Sequence, residues 1–572
     1  MAELFCAKAR LFDVGPYGHE AFFHALSNEF CPASSVAEST VANYLAGYLD
    51  AIGVQSMVVE HDYTDGDYLD DYSAYYVKCF ASYPRRCQRL HFFSIQVDPN
   101  LVRLLIENRA SRKQKKAFKQ AYLGFVVARP LPEAVVGRTV LATYGWDGGR
   151  RHFAAIRSYR ANLFGLELRV RSLAFQEQDT VLAACATVAL WSALHKDAEL
   201  FGTPIPTPAT ITRAANRIGH NSRPLPSRSL ALDQICTAIE SFGLEPEVIA
   251  VKPSTPLLSL IYGYIRFGLP VVVVGICDDG EGHAVTISGF SMRGAAQRTS
   301  EVAMGQVSIS TIARRIDELY VHDDQLGPFA AMTLQRVERR KVPKIIKDAL
   351  PDLPPLALVK RESKEKLYPV AAIIPVYPKI RLRLLDFQHW LTRLAAFYGP
   401  LSGNEWEWDL HLTSSNDYKC SVRASGWLPR EVVGPVILRQ HPRFLWRGIL
   451  RKGAVRVLEV LGDATEIERS FPIYFAIWHD DAFATETQRL VEADMEFAAQ
   501  TLSPLMLDFL LASIRQQKAF ALANLDVPCE LSESARCLFA SAPGTTSGAS
   551  IGRTCNRTKH TAVPIEPDAQ HN

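Results

Sequence analysis

A multidomain α+β chain, in which a helix precedes a run of antiparallel strands, is the fold class the sequence predicts. Three observations carry the prediction. The chain has 572 residues, well past the length at which one hydrophobic core stops growing, so two to four domains are expected. Its composition, 48% hydrophobic and 22% charged, is that of an ordinary globular protein. No internal repeat is visible, and in the central unit helices come first and strands afterwards, which argues for an α+β domain.

Taken in order, residues 1–150 read as an N-terminal α+β domain. Ser39–Ile52 has Val41, Tyr44, Leu45, Tyr48 and Leu49 at helical spacing. Gln88–Val97 reads as a strand, Val102–Gln120 as one helix ending in a basic run, and Gly124–Arg129 and Thr139–Tyr144 as two further strands. A hairpin, Phe153–Arg157 with Leu166–Phe175, leads into a second domain at 165–340. There a loop, Gln176–Ala184, becomes a helix from Cys185 to Lys196, and Pro204, Pro206 and Pro208 close its neighbourhood. Leu230–Phe242 is amphipathic, and strands follow at Pro270–Ile276, Ala284–Phe290 and Leu319–His322. Residues 345–530 read as a C-terminal α+β domain, with a strand at Val370–Tyr377, a helix at Ile380–Ala396 and strands at Trp406–Leu412 and Tyr418–Arg423. A hairpin within Ala454–Ile473 and an acidic helix at Glu486–Ala499 complete it. Residues 538–572 are rich in Ser, Thr, Gly and Pro and read as a disordered tail.

The bulk properties narrow the function. A net charge of +3 gives no polyanion-binding signature, so nucleic acid is not an expected partner. No apolar run approaches the roughly 20 residues that span a bilayer, and the N-terminus lacks the apolar core of a signal peptide. The 11 cysteines show no paired spacing, a pattern that fits a reducing compartment, and a cytoplasmic location is expected.

One constellation carries chemistry. Thiol catalysis requires a thiolate, a base to generate it, a group to orient the base, and donors for an oxyanion. Cys185 stands where Q-E-Q-D-T-V-L-A-A becomes the helix C-A-T-V-A-L-W-S-A-L-H, and a helix N-terminus favours negative charge. Gln176 and Gln178 lie upstream with side-chain amides suited to an oxyanion hole. His283 opens a strand in G-H-A-V-T-I-S-G-F, directly after a glycine. Asp323, with Asp324 beside it as the alternative, closes the strand L-Y-V-H-D-D, where a carboxylate can fix the imidazole tautomer.

The order of these segments resembles the C39-like branch of the papain-like cysteine peptidases. The resemblance covers about 170 residues, under a third of the chain, and the His283 segment is its most specific part. It implies a papain-like domain, a nucleophile helix followed by an antiparallel sheet, with Cys185 as nucleophile, His283 as base, Asp323 as orienting acid and Gln178 as oxyanion donor. The implied reaction is acyl transfer through a thioester, on a peptide or protein substrate, without metal or organic cofactor. The alternatives are an amine-accepting transferase and an inactive scaffold used for binding. The chain departs from the pattern in three places. Ala186 follows the cysteine, Gln178 lies one position further upstream than in the family, and the His283–Asp323 interval is long, implying an insertion around Met292–Ser310. The flanking G-F-V-V-A-R-P-L-P and F-Q-E-Q-D-T segments are similar to large bacterial proteins carrying such a domain.

Other candidates have plainer readings. Cys79, Cys87, His91 and His61 match no compact zinc spacing. H-D-Y-T-D-G-D-Y-L-D-D-Y resembles a calcium loop in composition only and reads as a loop entering a helix. Arg112, Lys113, Lys115 and Lys116 form one charged face of a surface helix. Trp406 and Trp408 alternate on one strand face, as core or interface residues do.

Overall fold

The computed structural model describes residues 12–523, apart from 146, 180–183, 217–228, 294–300, 305–306, 352–353, 355, 399–405, 425, 427, 429 and 468–470. The expected disordered tail lies outside the described residues. The fold is mixed, 39% helical and 32% strand.

The N-terminal region is built on a five-stranded antiparallel sheet in the order Phe12–Pro16, Ser56–Tyr63, Cys87–Phe93, Tyr122–Ala128, Val136–Leu141. Alternation sends Met57, Val59, Leu90 and Phe92 to one face, where they pack with Val41, Leu45 and Leu49 of the helix Thr40–Ala51. Val58, Phe93, Phe125 and Val127 face the other way, into a core shared with the Cys185 helix. Ser39 caps the Thr40 helix by accepting from the Ala42 N–H. The single helix expected over Val102–Gln120 is two, Pro99–Ile106 and Arg112–Gln120. The break has a local cause: Asn108 is left-handed (φ 57°), and Ser111 and Gln114 form a reciprocal capping box that starts the second helix. In that basic helix Phe118 alone is buried, so Arg112, Lys113 and Lys116 are an exposed charged face. The hairpin expected at Phe153–Arg157 and Leu166–Phe175 lies instead at Arg157–Leu163 and Leu166–Ser172, turning at Phe164–Gly165.

The central region is a closed antiparallel ring. Val271–Cys277, Gly282–Met292, Ile316–Asp323, Gly327–Arg336, Leu356–Lys360 and Lys366–Val376 pair in succession, and the last pairs back onto the first. Two further strands join the ring, Arg151–His152 against Gly282–Met292 and Glu245–Ala250 against Lys366–Val376. Val271, Val273, Val285, Ile287, Leu319, Val321, Met332, Leu358 and Leu367 pack into one apolar cluster. Two of the six strands lie beyond residue 340, so the strand expected to open the third region belongs to the same sheet as His283. Two glycines permit close strand contacts: a Cβ at Gly275 would lie 2.4 Å from the Tyr368 carbonyl oxygen, and one at Gly289 2.6 Å from that of His152. The expected insertion contains a hairpin, Glu301–Met304 with Val307–Ser310.

The cluster inside the ring continues into a four-stranded sheet, Trp406–Ser414, Phe444–Lys452, Val455–Asp463 and Ile473–Trp478. Tyr264 and Trp446 make the connection, ring centroids 5.3 Å apart. Tyr418–Arg423, expected as a strand, belongs to the helix Ser415–Ala424. Ser414 caps its Asp417 N–H, and the buried Tyr418 and Val422 are four residues apart, a helical rather than an alternating period. Trp408 is buried, as expected for its face. Glu407 and Asp409 on the opposite face are buried too, against Arg314, Arg315 and Tyr262. The expected acidic helix divides into Asp481–Ala493 and Met495–Leu502, because Asp494 caps a new start. No single helix among the described residues is long and apolar enough to cross a membrane; one pair, bent by 110°, meets the length and composition test together.

Candidate functional site

The helix Cys185–Phe201 begins at the cysteine itself, with Ala184 in extended conformation as N-cap. Its buried positions surround the whole first three turns, so the sulfur is held at a fixed, core-anchored tip. Cys185 is 7% exposed, and its Sγ lies 4.0 Å from the Gly282 carbonyl oxygen, one residue before His283. The thiol at residue 185 therefore lies beside the backbone that leads into His283.

His283 is the second residue of its strand, paired across from Gly275. Its Nε2 is 3.0 Å from Oδ1 of Asp323 and 3.7 Å from Oδ1 of Asp324. Nδ1 is buried with no well-formed hydrogen bond, while the Cys185 side chain lies close enough to favour the protonated ring. Burial pushes the imidazole pKa down. The charge and hydrogen bond of Asp323, then Cys185 and Asp324, outweigh it and hold the ring well above its ordinary value. A buried histidine that favours its charged form is the partner a thiolate requires.

The two aspartates divide the work. Asp323, the last residue of its strand, is fully buried. Desolvation opposes its charge, but His283 and the Lys360 ammonium overcome it, and the carboxyl is held far below its ordinary range. Oδ1 also accepts the Gln325 backbone N–H at 3.1 Å. Asp324 is buried with neither carboxylate oxygen hydrogen-bonded, and desolvation lifts it to about 7 against the pull of His283, with Asp323 adding to the rise. Asp323 is thus the ionised partner, and Asp324 is shifted to where its proton is exchanged around neutrality.

The glutamines fall differently. Gln178 is half-buried and lines a cleft of about 490 Å³ whose walls include Tyr75, Tyr76, Glu133, Asp324 and Gln325. Gln176 is buried, its amide nitrogen without a hydrogen-bond partner. No hydrogen bond among the described residues joins either one to Cys185.

Lys360, the last residue of Leu356–Lys360, has no place in the motif and yet completes the cluster. Its Nζ is 3.0 Å from Oδ2 of Asp323 and 3.1 Å from Oε2 of Glu365. The only sequence signal is a lysine closing the apolar run L-A-L-V, and it lies beyond the expected domain end.

His283, Asp323 and Asp324 are the one group among the described residues whose potential ligand atoms come together, within 4.8 Å. Lys360 already supplies a cation to Asp323, and the cluster is read as an acid–base group. The four residues weighed as zinc ligands are not assembled: His61 bonds Asp13 at 2.8 Å, and His91 bonds the Tyr122 hydroxyl at 3.0 Å. The calcium-like stretch is structural. Asp65 caps the helix Gly66–Ala74, and Asp71 accepts the Ala209 N–H at 3.2 Å, at the start of the helix Pro208–Ala215.

Compared with known proteins, the chain matches no protein-family model, no curated sequence and no solved structure.

Proposed function

We propose that the chain is a cysteine-dependent acyl hydrolase of papain-like type, a peptidase or isopeptidase. One observation carries the reading: a thiol at a helix tip beside a buried imidazole whose Nε2 is held 3.0 Å from a buried carboxylate. In this reading the Cys185 thiolate attacks a substrate carbonyl, and the amine leaves with a proton from imidazolium His283. Water then attacks the thioester carbonyl, its proton passing to His283. The acid product departs as the sulfur leaves as thiolate and the starting thiolate–imidazolium pair is restored. Asp323 fixes the ring throughout. The Cys185 backbone N–H and an upstream glutamine amide are the oxyanion donors, with Gln176 and Gln178 both candidates.

The experiment is the pH profile of Cys185 alkylation, read by mass spectrometry of its peptide, beside cleavage of a mixed peptide library. We expect a midpoint well below the ordinary thiol value of about 8.5, a return toward it in His283→Gln, and no library cleavage by Cys185→Ala. Library cleavage undiminished in Cys185→Ala rules the reading out.

A second reading, an inactive papain-like scaffold, draws on the enclosure of the site: Cys185, His283 and Asp323 are all buried, and none of them lines the cleft beside Asp324. It predicts the same alkylation profile in wild type and His283→Gln.

A further inference from the structure

The cluster contains a charge that the cysteine–histidine–aspartate scheme leaves unused. Lys360 is 5% exposed, and a lysine is rarely buried unless it is paired. Strand alternation places it on the same face as Leu358, which packs inside the ring, so its stem runs along apolar surface. Its ammonium lies between two carboxylates of unlike setting, buried Asp323 at 3.0 Å and the largely exposed Glu365 at 3.1 Å.

We propose that Lys360 is a positioning residue of this site: by holding Oδ2 of Asp323 it aims Oδ1 at His283 Nε2 and sets the charge balance under which Cys185 and His283 form their ion pair. This rests on the cysteine-hydrolase reading and adds a fourth member to it.

The electrostatic argument has a definite sign. A cation beside Asp323 partly neutralises that carboxylate and opposes a second positive charge on the imidazole, while it favours an anion at the nearby sulfur. The other groups around the pair are Asp323 and Asp324 from the strand and turn ending at 324, and Cys185 from the helix. Cys277 faces it from the strand Val271–Cys277, with Asp279 from the turn that follows, and Glu365 lies beyond Lys360. Burial raises the Cys277 thiol, and His283 and Lys360 act against that rise. Lys360 is the only cation of that set other than His283.

The role therefore makes opposite predictions for two substitutions. Lys360→Met moves the midpoint of Cys185 alkylation up by roughly one pH unit. Glu365→Gln removes the competing, solvent-screened carboxylate and moves it down by a few tenths. Lys360→Arg keeps the charge and stays near wild type. The probe is iodoacetamide on the full chain, with the Cys185 peptide quantified from pH 4 to 10. Midpoints unchanged in both Lys360→Met and Glu365→Gln overturn the proposal, as does Lys360→Arg shifting as far as Lys360→Met. Should Lys360→Met fail to fold, Glu365→Gln on its exposed side chain decides alone. A wild-type midpoint at the free-thiol value overturns the hydrolase reading itself, and that result is visible before any Lys360 variant is made.

Discussion

Among the described residues, two buried histidine–aspartate pairs stand on strands, and their imidazoles are shifted in opposite directions. At the end of the ring, His283 meets Asp323 at 3.0 Å with Asp324 and Cys185 alongside, and its pKa is raised. In the C-terminal sheet, His411 meets Asp409 at 3.2 Å. There burial dominates and pushes the imidazole down, with Asp409 opposing and Arg266 and Arg447 adding to the fall. Asp409 also accepts the Tyr262 hydroxyl at 2.8 Å and faces Arg451 at 3.5 Å. A histidine–carboxylate contact is therefore not in itself a reactive site. Burial pushes both rings down; at His283 carboxylates and a thiol outweigh it, and at His411 burial prevails with guanidinium groups adding to it.

The sharpest way to break this contrast is to exchange the histidines for glutamine. His283→Gln is expected to lower Cys185 alkylation at pH 6 by up to about 300-fold, because a thiol at about 8.5 is only roughly 0.3% thiolate at that pH. His411→Gln should leave it at the wild-type rate. Comparable loss in both variants would mean that the two pairs do not differ in role.

A large effect on stability is expected at the neighbouring pair Arg447–Glu459, bidentate at 2.9 and 3.0 Å and buried. Arg447→Met leaves Glu459 in the interior without its main partner, which costs about 3–5 kcal/mol. Urea unfolding should show that loss while Cys185 alkylation is unchanged in the folded fraction.

The two histidines also impose opposite pH slopes on stability. His283 has a folded pKa above its unfolded value of about 6.5, so its contribution is complete below pH 6.5 and is lost as pH rises through the folded pKa. His411 has a folded pKa below that value, so its contribution is present above pH 6.5 and is lost as pH falls toward the folded pKa. The stability difference between wild type and His283→Gln should shrink on raising pH from 6 to 9. For His411→Gln it should shrink on lowering pH from 7 to 5. Denaturant midpoints across that range check both, and equal slopes would remove the distinction.

The smallest effect belongs to Tyr262→Phe, which deletes one hydrogen bond to Asp409. A loss of about 1.5–3 kcal/mol is expected, the acceptor being a buried carboxylate, with no change at Cys185.

What could be read from the sequence follows the range of each interaction. Cys185, His283 and Asp323 were legible because each sits at an element boundary whose local signals, a helix start, a glycine before a strand and a paired aspartate at a strand end, lie within a few residues. Lys360 was not, because its relation to Asp323 exists only once the ring closes, a contact between distant parts of the chain. Short alternation misled at Tyr418–Arg423, where six residues fit either period and the cap at Ser414 decides. The Asn108–Ser111 break was hidden by helix-forming residues on both sides. Gln176 and Gln178 stay equivalent in sequence because burial, the property that separates them, has no local signature.

Ring closure also carries a temporal consequence. On the ribosome, residues 185, 283 and 323 emerge well before Lys366–Val376, the strand that seals Val271–Cys277 and completes the barrel. A nascent chain thus holds these three groups in an open sheet until residues 366–376 have been made, and ring closure waits for that stretch. Shortened products ending before residue 366 would be released with an unsealed edge, exposed to proteases and to strand exchange with one another.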